Sequence, residues 1–319
     1  MYDDQTLPEF MSQPFTTREA AVQGANSRRL HELARQGQVR RLLQGVYVNH
    51  TTADSYELRL AALRLVTTKG SVIVDETAAW LHGANMALEP NAHLDVPPLH
   101  VFDHRRGYRM RRGEVRTGER RFDACDLVDA GDLLVTTPLR TACDLARLRV
   151  PKRALAAVDQ LLRLGSFSAP RLSAEIQRFR GMRGVVRARY LALIADPGAQ
   201  SPPESAMRWE WLQAGLPRPT TQCPMVLADG SIKYADLGLE ELRFAAEYDG
   251  QEFHTATMDT EHDGRRRDQA RQDAGWDFCV LRRGDVYGPG CRAGQLLRAA
   301  YEDARTSFGV RRRLWSIAS

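Results

Sequence analysis

Lysine is nearly missing from this chain. Of its 45 basic residues only Lys69, Lys152 and Lys233 are lysines, and the rest are arginines. That skew is the mark of a GC-rich genome, so arginine abundance alone does not argue for DNA binding, although a net charge of +5 suits a polyanionic partner. The placement of the charge has to carry that argument. Cysteine is also sparse. Cys125, Cys143, Cys223, Cys279 and Cys291 are odd in number and contain no Cys-x-x-Cys, which speaks against both a disulfide framework and a thiolate zinc site. They are expected to be reduced and structural. No window approaches about 18 uninterrupted apolar residues, and the opening Met1-Tyr-Asp-Asp4 lacks the basic and apolar regions of a signal peptide. No membrane association is expected, and a cytoplasmic location is the default. Internal repeats and low-complexity tracts are absent too.

What is present is the composition of globular protein, 43% hydrophobic and 27% charged over 319 residues, enough for two or three domains with buried cores. The expected class is mixed α/β, an α+β multidomain chain, with segments 1–53, 54–195 and 196–319. The turn-forming stretch 195–203 is the expected linker. In the first segment Thr16 reads as the N-cap of a helix over 17–23 that Gly24 ends. Ser27 reads as the N-cap of a second helix closed by Gly37, with Leu30, Leu33 and Ala34 as its apolar stripe. Residues 39–43, a Gln44-Gly45 turn and residues 46–48 read as a hairpin. Helix, turn, helix and two-stranded wing is the order of a winged helix-turn-helix.

The motifs Phe15-Thr-Thr-Arg-Glu-Ala-Ala21 and Gly37-Gln-Val-Arg-Arg-Leu-Leu-Gln-Gly-Val-Tyr-Val48 resemble the N-terminal winged helix of AbiEi-type antitoxins of type IV toxin–antitoxin systems. The resemblance implies a DNA-binding module with its second helix in the major groove. Asn26, Ser27, Arg28 and Arg29 would then read bases, and Arg35, Arg40 and Arg41 would meet phosphates. The plainer alternative makes Arg28 and Arg29 a solvated helix face. Similar segments follow the winged helix in AbiEi-type proteins, including Thr136-Thr-Pro-Leu-Arg-Thr-Ala-Cys-Asp-Leu-Ala146, where Thr137 as N-cap and Pro138 at the first helical position explain the motif structurally.

Elsewhere in the middle segment, residues 54–67 read as an amphipathic helix and 72–74 as a strand. Asp75 reads as the cap of the next helix, and Asp144 and Asp159 as structural rather than catalytic. Residues 105–121 carry eight arginines against two glutamates, including Arg120 and Arg121. They read either as a second phosphate-binding surface or as a solvated basic edge strand.

The C-terminal segment gathers acids. On neighbouring strands, Asp236 and the pair Glu247 and Asp249 would converge, the latter two sharing a face roughly 6–7 Å apart. Such carboxylates repel unless a cation or proton intervenes, which makes them a candidate divalent-metal site. The expected order is helix, three strands, helix, strand. With Glu204, Tyr234-x-Asp236, Glu247-Tyr-Asp-Gly250, His254, Asp263, Arg267-Asp268 and Gly275-Trp276, it resembles the PD-(D/E)XK nucleases, and among them the group similar to very-short-patch-repair endonucleases. The resemblance implies an endonuclease-like αβββαβ domain in which Asp236 and Glu247 ligate Mg²⁺ or Mn²⁺ and Glu204 joins them directly or through water. Asp249 stands where many members carry a lysine. It would be an extra ligand, with His254 as base or ligand and Arg265, Arg266 or Arg267 supplying positive charge. Alternatively Ser201-x-x-Glu204 is only a capping box, and Asp249-Gly250 is turn chemistry.

Two functions follow: a DNA-binding defence or toxin–antitoxin protein with a metal-dependent nuclease domain, or a non-enzymatic antitoxin-like repressor whose nuclease-like fold is a binding platform. DNA is the expected partner in both. A true antitoxin should also have a nucleotidyltransferase-like toxin encoded beside it.

Overall fold

The computed structural model describes residues 9–84, 99–103, 120–250, 267–272 and 274–318. They form a mixed α/β protein of two compact units, Met1–Ala84 with Leu94–Leu145, and Asn85–His93 with Ala146–Ser319. The expected 54–195 segment is therefore divided between them.

In the first unit, β1 (Phe15–Thr16), α1 (Thr17–Val22), α2 (Ser27–Arg35), β2 (Val39–Leu43) and β3 (Val46–Asn49) follow one another, and the strands form an antiparallel sheet in the order β1-β3-β2. The capping box of α1 is complete: Thr16 Oγ1 accepts from the Glu19 amide, and Glu19 Oε2 accepts from the Thr16 amide. For α2 the cap moves one residue from its expected place. Asn26, not Ser27, has the extended backbone of an N-cap, and its Oδ1 accepts from the Arg29 amide at 2.9 Å. A side-chain oxygen at Asn26 reaches the third helical amide, whereas Ser27 already lies inside the helix. The pairing of β2 with β3 slips between Arg41 and Leu43, and this bulge lets the adjacent Leu42 and Leu43 both be buried.

Next come α3 (Tyr56–Arg64), β4 (Ser71–Ile73), α4 (Asp75–Leu81), β5 (Val101–Asp103), β6 (Leu127–Asp129), β7 (Leu134–Thr136) and α5 (Pro138–Leu148), with a second sheet in the order β5-β4-β7-β6. Wing residues Leu42, Leu43, Val46 and Val48 share one core with Leu58 and Leu63 of α3, Ile73 of β4 and Val135 of β7. The winged helix is thus built into the unit that follows it. Thr137 caps α5 as expected, its Oγ1 accepting from the Arg140 amide. Asp75 does not cap α4. Val74 occupies the N-cap, and Asp75 is the first helical residue, buried at φ +53, because its carboxylate is drawn inward to a guanidinium.

The second unit contains α6 (Pro151–Arg163), α7 (Ala169–Ile176), α8 (Val185–Ile194), α9 (Pro202–Gln213), β8 (Thr220–Val226), β9 (Ile232–Leu239), β10 (Phe244–Asp249), the helical residues 267–272, β11 (Asp277–Arg282) and a C-terminal helix α10 (Ala293–Ala318). The αβββαβ order is as expected. The sheet runs β11-β10-β9-β8, with β10 and β11 parallel and the other pairs antiparallel. One face packs Leu237, Phe244 and Ala246 against Met207 and Trp211 of α9 and Leu297 of α10. The other packs Cys223, Met225, Ala235 and Ala245 against Ala270 and Trp276.

Candidate functional site

The N-terminal site grows from the caps. With α1 and α2 fixed at their first turns, Ala20, Leu30 and Leu33 turn inward against Phe15 and Val39, and Phe15 stacks on Tyr47 with ring centroids 6.3 Å apart. The outward side of α2 is left polar: Asn26, Ser27, Arg28, Arg29, His31, Glu32 and Arg35 are all exposed. Arg29 Nη1 lies 3.1 Å from Glu32 Oε2, an i,i+3 pair. Arg28 and Arg35 carry no ion pair among the described residues. On the wing, Arg41 is exposed and bonds Gln44 Oε1, while Arg40 is half-buried and donates to the Thr52 carbonyl at 2.9 Å. Asn26 spends its carbonyl oxygen on the cap. These residues therefore form an exposed basic helix face beside a basic wing, with Arg40 turned partly to the backbone.

The C-terminal acids lie on the expected strands but each meets a protein group. Glu204 is buried at the start of α9. Its Oε2 accepts from the Gln200 amide at 2.8 Å and lies 3.3 Å from Gln222 Nε2, and its Oε1 accepts from the Ser201 hydroxyl at 2.9 Å. Ser201 caps the helix, but the reciprocal bond goes to residue 200 rather than to the cap itself. Burial pushes the Glu204 carboxyl above the ordinary carboxylate range, against these three hydrogen bonds, which favour its ionised form.

Asp236 sits at an irregular point of β9. Ala235 packs on one face of the sheet and Leu237 on the other, although residues two apart on a strand share a face. The strand turns over at Asp236, between the pairs Cys223↔Ala235 and Thr221↔Leu237, where Gln222 holds φ +48. Asp236 Oδ2 accepts from the Tyr248 amide at 2.8 Å, one step past the last registered β9–β10 pair, Ala246↔Leu237. Glu247 is 3% exposed, and its Oε2 lies 3.2 Å from Arg267 Nη1. Asp249 ends β10, with Oδ2 3.4 Å from Arg282 Nε. His254, Asp263, Arg265 and Arg266 lie outside the described residues.

Among the described residues, the group that brings three metal-type ligand atoms within 4.8 Å of one another is Asp75, Glu76 and His100, not the β9–β10 acids. His100 Nδ1 lies 2.8 Å from Glu76 Oε2 and 3.6 Å from Asp75 Oδ2. Arg120 Nη1 lies 2.7 Å from Asp75 Oδ1 and 3.1 Å from Asp144 Oδ2, and Arg140 bonds both Asp144 and Asp126. This corrects the expectation for Arg120. It is an interior counter-ion rather than part of a phosphate-binding surface, because the buried carboxylates of Asp75 and Asp144 need a cation. Residues 104–119 of that basic run lie outside the described ones. Sequence reasoning missed this network, and no periodic signal links residues 75, 100, 120 and 144. Asp144 and Asp159 are buried and paired, as expected of structural residues. Burial pushes the thiols of Cys223 and Cys279 up to about 11, which suits inert interior cysteines. Among the described residues no helix is long and apolar enough to cross a membrane.

Two family models match the chain. The family model described as "Transcriptional regulator, AbiEi antitoxin" matches residues 4–50, and the one described as "AbiEi antitoxin C-terminal domain" matches residues 70–193. The uncharacterized proteins MT2308 and Rv2248 of Mycobacterium tuberculosis, from strains CDC 1551 / Oshkosh and ATCC 25618 / H37Rv, are each 31% identical over 241 residues, covering 75% of this chain and 85% of theirs. The chain belongs to one family with these mycobacterial proteins and carries both AbiEi antitoxin domains, the regulator module first and the C-terminal domain after it.

Proposed function

We propose that this protein is an antitoxin-type transcriptional repressor that reads duplex DNA with the outward face of α2. The exposed, capped helix bearing Ser27, Arg28, Arg29 and Arg35 carries the proposal. In a winged helix the N-terminal residues of the second helix reach base edges while wing and flanking arginines take phosphates. Here Arg28 and Arg29 are the base readers, and Arg35 and Arg41 the phosphate contacts. A nucleotidyltransferase-like toxin encoded beside it is the expected functional counterpart. The test is fluorescence anisotropy with a duplex from the protein's own promoter against a scrambled duplex. Selective binding that Arg28→Ala with Arg29→Ala abolishes supports the proposal, and equal affinity for both duplexes defeats it.

A second reading, a Mg²⁺- or Mn²⁺-dependent nuclease, rests on the αβββαβ order and on Asp236 and Glu247 occupying adjacent strands. Each of the two acids also meets a protein group: the Tyr248 amide donates to Asp236, and Arg267 pairs with Glu247. Calorimetric titration of Mg²⁺ and Mn²⁺ into wild type and Asp236→Ala, with a cleavage assay alongside, separates the two functions. Heat of binding and cleavage that both vanish in the variant would favour the nuclease.

A further inference from the structure

Helix α8 carries apolar side chains on two sides, with Arg187 and Arg189 between them. Val185, Ala188, Leu191 and Ala192 are buried within the second unit. On the opposite side Val186 is 77% exposed, Tyr190 41% and Leu193 68%, with Met182 at 49% just before the helix. Steps of four and three residues align Val186, Tyr190 and Leu193 in one stripe, which Met182 precedes. Uncovered large apolar side chains in a row mark an interaction surface. Tyr190 is held in place for such a role. Its ring meets Trp209 edge-on at 6.2 Å, and Gln213 Nε2 lies 3.5 Å from its hydroxyl.

We propose that a second copy of this chain covers the stripe, with the two α8 helices antiparallel about a two-fold axis. The charges at the ends of the helix select this occupant. Exposed Arg180 and Arg183 precede the N-terminus, the first turn contains no acid, and Asp196 follows the C-terminus. Both signs oppose the helix's own dipole, which favours anions at the start and cations at the end. In an antiparallel copy the arginines of one chain face the C-terminal end and Asp196 of the other, so both mismatches are relieved at once. An isologous contact requires such a self-complementary patch. The same symmetry sets Val186 of one copy against Tyr190 of the other. A phosphate backbone would match the arginines but leave the aliphatic stripe bare.

This inference does not depend on the DNA-binding proposal. It is tested by gel filtration with light scattering and by sedimentation of the full chain, from about 1 to 100 µM. The wild type should show twice the 35.9 kDa of one chain. Val186→Glu and Leu193→Glu, placed on side chains open to solvent in a single copy, should each run at the mass of one chain with unchanged thermal melting. Arg183→Glu should weaken the dimer about tenfold at low salt. A wild type that stays at single-chain mass throughout overturns the proposal, as does a dimer that survives both glutamate substitutions. Capture of the stripe by a different acidic protein would appear as the first of these outcomes.

Discussion

Asp159 Oδ2 accepts a 2.5 Å hydrogen bond from Arg208 Nη2, and neither side chain reaches solvent. The pair joins α6 to α9, and the two ends are tied further: Asp159 Oδ1 accepts from the Asp196 amide, and Arg208 bonds the Ile194 carbonyl. Removing one partner of a buried ion pair leaves the other charge stranded. Asp159→Ala is expected to cost about 3–5 kcal/mol, read as a lower urea midpoint. Asp159→Leu with Arg208→Met should recover part of that loss. A midpoint unchanged in the single variant would show that the pair does not hold the unit together.

His100 gives the first unit a dependence on pH. Burial alone would lower its imidazole, but hydrogen bonds to Asp75 and Glu76, and their charge, outweigh it and raise the group above the ordinary histidine value. A raised histidine contributes stability in full below its unfolded value of about 6.5, and that contribution is lost as pH climbs through the folded value. His82, lowered by burial against its bond to the Thr136 carbonyl, acts on the other side and loses stability as pH falls below the same point. Thermal melting should therefore decline from neutral to mildly alkaline pH in the wild type, and His100→Gln should flatten that decline. An equal slope in both proteins would remove His100 from the account.

Gly184, the N-cap of α8, holds φ +77, and a β-carbon there would lie 2.0 Å from the Arg147 carbonyl oxygen. Backbone cannot retreat as a side-chain tip can. Gly184→Ala is expected to cost on the order of 2–4 kcal/mol from strain and overpacking together, measured by denaturant unfolding. Gly181→Ala, with φ +79 and no atom within 4 Å of its added carbon, should cost only the conformational part.

Salt should separate the roles of the arginines on the winged helix. If Arg41 meets phosphate, Arg41→Ala lowers affinity for all duplexes alike and reduces the slope of log K against log salt by about 1. If Arg28 reads a base, Arg28→Ala costs about 1–3 kcal/mol on the cognate duplex and relaxes selectivity at one position. Anisotropy titrations at several salt concentrations distinguish the two. Identical losses on cognate and scrambled duplexes for Arg28→Ala would make it a phosphate contact.

Much of the fold was legible locally. Thr16, Ser201 and Thr137 cap their helices as their spacing indicated, and Gly24, Gly37 and Gly45 take the positive φ of helix ends and a hairpin turn. The carboxylates were legible as residues, but the protein groups each one meets were not. Alternation along β9 does not foretell that the strand turns over opposite Gln222 or that the Asp236 carboxylate accepts from the Tyr248 amide. The cap of α2 falls to the side-chain oxygen of Asn26, one residue ahead of the Ser27 that the spacing favours.

The sequence by itself determined the elements and the family, because caps, turn glycines and apolar periods act through bonds that close within about four residues. It also determined that α2 would present arginines outward, since Leu30 and Leu33 leave only one side of that helix for the core. Only the tertiary structure decided which charges would meet. Arg120 with Asp75 and Asp144, and Arg208 with Asp159, join residues far apart in the chain, and their pairing depends on which segments pack together. The division at Leu145 was decided in the same way: the wing shares its core with α3, β4 and β7, and α6 is tied to α9. Burial in common, rather than nearness in sequence, sets where one body ends and the next begins.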